Sequence, residues 1–283
     1  MVAALLLAAG PAAAAEPEAA SPSRSSRAAP SADAACTVRP SAGREMAVAT
    51  AASAALWAGD GSLALADGRR LVPRGVILPS RLAGPEGLAA AGAAGAVLGE
   101  GVLRTGRLAA DRHGRWVGDA VLAGGDDSPR PLALALVAAG AGYADPLAAP
   151  ACAAALLAAE AQARAAGRGL WAVPGAMAQA ADAAGLSRRV GRFAVVEGRV
   201  RSAGGSRDRV FLNFAERWRE DFTVILATKD FATIFGDGRR PKDLAGALVR
   251  VRGVVRAEGG PAVTVEAAGQ IETVLRGDER ESR

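Results

Sequence analysis

Two cysteines, one histidine and two lysines in 283 residues set the first limits on this chain. A zinc site of the usual His/Cys kind takes about four such ligands, so three cannot build one. His113 is the only histidine, and any Ser/His/Asp or Cys/His centre would have to use it. No serine lies in a nucleophile-elbow sequence that would accompany such a centre. The glycines around Gly92, Gly95, Gly99 and Gly101 do not follow a strand at the spacing of a phosphate loop, so no nucleotide-cofactor signal is present. Asp126 and Asp127, adjacent in a Gly-rich turn, read as solvated acids. Long apolar runs are missing too. Beyond the first fifteen residues nothing approaches the roughly 20 apolar residues a membrane helix needs.

What is present reads as globular: 51% hydrophobic and 22% charged residues, in a chain long enough for more than one domain. Residues 1–15 place the apolar run Ala3 to Ala9 ahead of Ala13-Ala14-Ala15 and Glu16, a signal-peptide pattern that predicts export to the periplasm or medium. It lacks a Lys or Arg ahead of the run. Residues 16–35, rich in Pro, Ser, Ala and Arg without an apolar period, read as a disordered spacer. In an exported chain, the even count favours a disulfide between Cys36 and Cys152, tying the start of the first domain to a later helix. Two buried thiols are the alternative.

Local pattern then predicts elements. Leu63 and Leu65 alternate with small residues, Asp67-Gly68 signals a hairpin turn, and Leu71 to Leu78 resumes as strand. Pro73 within that run points to an edge or a bulge. A helix is expected over Glu86 to Leu98, a turn at Asp111 to Arg115, a strand from Trp116 to Leu122, and helices over 131–139 and 150–166. On the last of these, Leu156, Leu157, Glu160 and Arg164 divide apolar from charged faces.

Three blocks in this order resemble the thermonuclease (staphylococcal-nuclease-like) family: Asp111-Arg112-His113-Gly114-Arg115, Leu136 to Tyr143, and Ala159 to Trp171 ending in Gly169-Leu170-Trp171. The resemblance covers 36–173. It implies a mainly β fold with helices, an α+β OB barrel of the staphylococcal-nuclease kind, and Ca2+-dependent phosphodiester hydrolysis. That chemistry uses carboxylates to hold a hard cation and arginines to offset charge on the phosphate.

The departures lie at the catalytic positions. In the register set by Ser62-Leu63, Gly61 falls where the family's first metal-binding aspartate stands, with Asp60 one place away. In the register set by Gly75 and Pro79, Val72 replaces the first arginine, Ile77 the second metal-binding aspartate, Leu78 another ligand-bearing residue and Ser80 the glutamate base. An alternative register on Arg81 to Glu86 restores an arginine and a glutamate but no aspartate. Only Arg115 matches a catalytic position, and no metal ligands are assigned. Without metal and base, the barrier to hydrolysis keeps most of its height.

Beyond Trp171, an Ala-rich stretch over 174–187 reads as a linker. Short strands follow at 190–200, 210–214, 222–226, 248–255 and 262–265, with a short helix over 229–235. They predict a second small OB-like β-barrel over 188–276, followed by a tail at 277–283. Phe211-Leu212-Asn213-Phe214, Trp218-Arg219 and Asp221-Phe222-Thr223 resemble the C-terminal module found with thermonuclease-like domains in some bacteria. This region has 17 Lys+Arg against 11 Asp+Glu, a net of +6 that exceeds the whole chain's +5. Arginines beside rings are what a single-stranded nucleic-acid groove uses. The candidates are Arg112, Arg199, Arg201, Arg207, Arg209, Phe211, Arg217, Trp218 and Arg219; filling of the barrel by the rings is the alternative. Three functions follow as expectations: a nucleic-acid (DNA or RNA, preferably single-stranded) or anionic-polymer binder with impaired catalysis and no cofactor; an active Ca2+-dependent nuclease with displaced ligands; or a structural, protein-binding module of the envelope.

Overall fold

The computed structural model of the chain describes residue 36 and residues 45–47, 57–58, 60–79, 84–99, 102–123, 130–216 and 220–274. Its first half begins with strands Glu45–Ala47 (β1) and Trp57–Ala58 (β2), then the hairpin Ser62–Ala64 (β3) and Arg70–Pro73 (β4). Leu63 and Leu71 pair across that hairpin and are both fully buried. Gly68 turns the corner with φ +81°, a conformation that glycine adopts without steric cost. Pro73 is the last residue of β4, where only Gly118 pairs with it and β3 has already ended, so its missing N–H breaks no ladder on the other side.

Val76–Ile77 (β5) leads toward helix Pro85–Leu98 (α1). Proline in its first turn costs no helical bond, and Glu86 beside it favours the positive end of the helix dipole. Val102–Ala110 (β6) and Trp116–Leu122 (β7) form the long central ladder, followed by Arg130–Pro131 (β8), Leu132–Ala138 (α2), Tyr143–Ala144 (β9) and Ala153–Ala165 (α3). The sheet order is β1-β6-β7-β4-β3-β2, with β8 also on β7 and a parallel β4–β7 pairing that brings distant chain segments together. β6 falls where no strand was expected, although buried Leu103 and Thr105 alternate with exposed Val102 and Arg104. Its ladder is irregular between Thr105 and Leu108.

The stretch read as a linker carries a strand, Met177–Gln179 (β10), and a short helix, Ala183–Ser187 (α4), capped by Asp182 accepting the Gly185 N–H at 2.8 Å. Then come Phe193–Arg199 (β11), Ser202–Gly205 (β12), Arg209–Asn213 (β13), Thr223–Ala227 (β14), Phe231–Phe235 (α5), Leu248–Val254 (β15), Arg256–Glu258 (β16), Gly260–Val265 (β17) and Ile271–Thr273 (β18). They pair as β10-β11-β15-β18 and β12-β13-β14-β17-β16. The architecture is α+β, with several sheets and few helices.

Two cores hold it. Leu63, Leu71, Leu103, Leu136, Leu156 and Leu170 belong to the first, and Leu212, Phe222, Val224, Val251 and Val263 to the second. β11 serves both, because successive strand side chains point to opposite faces: Val195 joins the first core and Val196 the second. Ala178, Ala180 and Leu186 are buried in the second core, which is why the expected linker is ordered. Cys36 and Cys152 form a disulfide across 116 residues, with Cα atoms 4.6 Å apart. No helix among the described residues is long and apolar enough to cross a membrane.

Candidate functional site

Between β6 and β7 the chain turns through Asp111 to Arg115. The Asp111 N–H donates to the Arg115 carbonyl at 2.8 Å, and Gly114 takes φ +71° to close the loop. The Asp111 carboxylate accepts the backbone N–H groups of His113 and Arg115, at 2.8 and 2.9 Å, and the Arg115 Nε at 2.7 Å. The Arg115 backbone and side-chain donors, with the His113 N–H, hold the Asp111 carboxyl at about 2. Arg112 Nε donates to His113 Nε2 at 3.0 Å, so that ring nitrogen is an acceptor and the histidine is a turn residue.

Asp60 lies against this turn. One carboxylate oxygen receives Arg70 Nη1 at 2.6 Å and lies 3.7 Å from Arg115 Nη1, while the other accepts the Ser62 hydroxyl at 2.6 Å. Arg115 Nη1 also donates to the Asp60 carbonyl at 3.2 Å. Next in the chain, Gly61 adopts φ +75°, and a Cβ there would come within 2.7 Å of the Leu78 carbonyl oxygen. The backbone thus excludes an L side chain at the position where the resemblance places a metal-binding aspartate. Ser80 and Arg81 lie outside the described residues. Glu86, from the alternative register, is bound by Arg189 at 2.7 Å and by the Tyr143 hydroxyl at 3.4 Å. Burial, and then Glu86, push the Tyr143 hydroxyl pKa well up.

Asp60, Gly61, Leu78 and Glu86 form one wall of a cleft of about 750 Å3, and the segment from Gly175 to Phe193 forms the other. Arg189 crosses it, donating to Glu86 and, at 2.8 Å, to the Gly175 carbonyl. Arg188, Arg189 and Arg192 line this cleft; the dibasic pair after Ser187 was the available sequence signal, and none of the three figured among the candidate site residues.

The arginine candidates of the second half are dispersed. Arg209 and Phe211 share the outer face of β13, whose alternate residues Val210 and Leu212 are buried. Gly204 is opposite Phe211 across β12–β13, and a Cβ on Gly204 would meet nothing within 4 Å, so that flank of the ring is open. Arg201 pairs with Glu216, Arg209 lies 3.5 Å from Glu258, and Arg199 donates to the Gly246 carbonyl at 2.8 Å. Arg207 is exposed in the turn before β13. Arg217, Trp218 and Arg219 lie outside the described residues.

Between the halves is a charge cluster that helix periodicity does not show. Glu160, read as part of the charged face of its helix, is fully buried: it accepts from Arg252 of β15 and from the Ala144 N–H at 2.9 Å. Arg252, 1% exposed, also binds Glu272, and Arg250 binds Glu197 at 2.6 Å. Burial, and next the like charge of Arg250, lower the Arg164 guanidinium pKa. The sequence signal is weak because one strand, Leu248–Val254, places Arg250 and Arg252 at alternate positions, the pattern of a strand with one solvated face.

No family model and no curated protein matches the chain. Among solved structures, it is similar to a Leishmania major Friedlin protein described as an aspartyl-tRNA synthetase, at 16% identity over 33% of this chain, with a TM-score of 0.22. The match spans a fifth of that protein's length, and the score supports no shared fold.

Proposed function

We propose that this chain is an exported, non-catalytic thermonuclease-like protein that binds single-stranded nucleic acid or a similar anionic polymer. The observation that carries the first part is the state of Asp60. This acid, nearest the expected metal position, is engaged by Arg70 and Arg115, while Gly61 beside it has no room for a side chain. A carboxylate already neutralised by two guanidiniums is a poor ligand for a hard cation. Arg115, the one residue matching a catalytic position, is itself spent on Asp111 and Asp60.

Two OB-like barrels are the proposed scaffold, and the parallel β4–β7 and β14–β17 pairings support that reading without closing a barrel. Binding is assigned to the outer face of β12 and β13, where Phe211 has an open flank beside Arg209 and Arg207, with Arg112 adding charge from the first half. Aromatic rings stack on bases of any identity, and arginines take the phosphates.

The test joins two assays on the mature chain. Phosphodiesterase activity on single- and double-stranded DNA, with Ca2+ or with chelator, is expected at background in both. Fluorescein-labelled single-stranded DNA is expected to bind with a steep salt dependence, about 0.7 in log–log slope per phosphate contact. Chelator-sensitive cleavage lost in Arg115→Ala would restore the nuclease reading. Absence of any salt-sensitive binding would favour a structural module.

A further inference from the structure

The cleft between the halves has charge to spare, and its sign is fixed by accounting for each carboxylate on its walls. Asp60 is bound to Arg70, Glu86 to Arg189, and the Asp182 side chain to the Gly185 N–H that begins α4. Asp60 and Glu86 are neutralised by those arginines, whereas Asp182 accepts a neutral N–H and keeps its charge. Arg188 and Arg192 also line the cleft and are exposed, and no side-chain hydrogen bond or ion pair engages either among the described residues. Set against the remaining charge of Asp182, the two guanidiniums leave the described lining with one net positive charge, which favours an anion. Guanidinium forks match phosphate oxygens in geometry as well as sign.

The remaining walls add a body to that anion. Ile77 and Leu78 on one side and Met177 and Phe193 on the other give part of an otherwise mixed lining an apolar surface, and Phe193 is half-buried against Tyr143 with ring centroids 5.4 Å apart. A volume of about 750 Å3 is within the range of pockets that enclose small organic ligands. We propose that this cleft is a nucleotide site, in which Arg188 and Arg192 hold the phosphate and the apolar wall at Phe193 receives the base. Neither arginine belongs to the thermonuclease-like stretch, so the site is a product of joining the two halves. The occupant is a nucleotide unit, either free or at the end of a strand. The choice of nucleotide over other anions rests on the nucleic-acid reading above; the anion selectivity does not.

The test uses the full mature chain and the double variant Arg188→Ala/Arg192→Ala, with Arg239→Ala/Lys242→Ala as a charge-matched control away from the cleft. Both pairs are exposed, and an unchanged unfolding midpoint checks that the variants fold. Binding of AMP is read by calorimetry and of a fluorescein-labelled single-stranded DNA 12-mer by anisotropy, each across a salt series. The cleft variant should lose AMP binding at least tenfold while the control keeps it. If the strand end enters the cleft, the variant also lowers the 12-mer salt slope by about 1.4, two contacts at about 0.7 each. AMP binding lost with 12-mer binding unchanged supports the free-nucleotide source. AMP affinity equal in all three proteins overturns the cleft site, and leaves the polymer-binding reading standing if the 12-mer still binds. Loss of AMP binding in a chain that binds no 12-mer supports the cleft and overturns the polymer reading.

Discussion

At the scale of single residues, Asp60 and Asp111 do opposite work on one arginine turn. Asp111 builds the turn from within, and its carboxyl sits at about 2 rather than its ordinary 3.8, chiefly through the Arg115 N–H. A depressed pKa contributes stability that is complete above 3.8 and disappears as pH falls through about 2. Acid titration from pH 5 to 1.5 should therefore open this turn over that lower window, seen as faster exchange of the Arg115 amide, and Asp111→Asn should flatten that dependence. Asp60 instead consumes charge. Its replacement by Ala releases the Arg70 guanidinium from its ion pair, while Arg115 stays on Asp111, and should tighten single-stranded DNA binding severalfold at low salt, with no gain in cleavage. Unchanged binding in Asp60→Ala would argue that the turn is not on the binding face. Arg115 and the turn were readable from five consecutive letters; the neutralising role of Arg70 was not, since it depends on a partner ten residues away in sequence.

Among elements, one close backbone approach is between the end of α2 and the turn before Trp171. Gly140 has φ +71°, and a Cβ there would be 2.0 Å from the Arg168 carbonyl oxygen; Gly169 meets Gly140 reciprocally, and the Leu170 N–H donates to the Gly140 carbonyl at 2.8 Å. Gly140→Ala combines an unfavourable φ with a backbone clash and should cost about 2 kcal/mol or more, measured as a shift in urea midpoint. Helices and the hairpin were legible because proline starts, glycine stops and the Asp-Gly turn are local signals. β6 and β12 were missed for a physical reason. Gly106 and Gly204-Gly205 lack the side chains that mark a strand, but sheet pairing tolerates glycine where a bulge or a close neighbouring backbone needs it, as where Gly205 faces the Arg209 carbonyl. The strand and helix within 174–187 were illegible likewise: Ala178 and Ala180 look featureless alone and become core only when β11 pairs beside them.

For the whole molecule, two ties govern stability. Reducing the Cys36–Cys152 disulfide releases a long loop in the unfolded chain and should cost about 2 to 4 kcal/mol, read as a lower unfolding midpoint with reductant. Glu160→Gln leaves Arg252 buried with part of its charge uncompensated, a change worth about 3 to 5 kcal/mol. The paired change Glu160→Leu/Arg252→Leu should recover most of that loss, because removing both charges removes the desolvation cost as well. With β11 shared between the cores, both halves should unfold in a single transition, and separate calorimetric peaks would argue against that coupling. The α+β class was legible from the order of patterns; the junction was not, because its partners are 92 residues apart.

The buried Glu160–Arg252 contact also constrains how this gene can change. A chain cut between the halves would expose a carboxylate on one fragment and a guanidinium on the other, each framed by apolar surface shaped to fit the missing piece. Shuffling either half into a new protein would first require neutralising both positions. A fusion with such a contact works as a ratchet: once the two charges face each other in the interior, recombination can no longer cheaply undo the join.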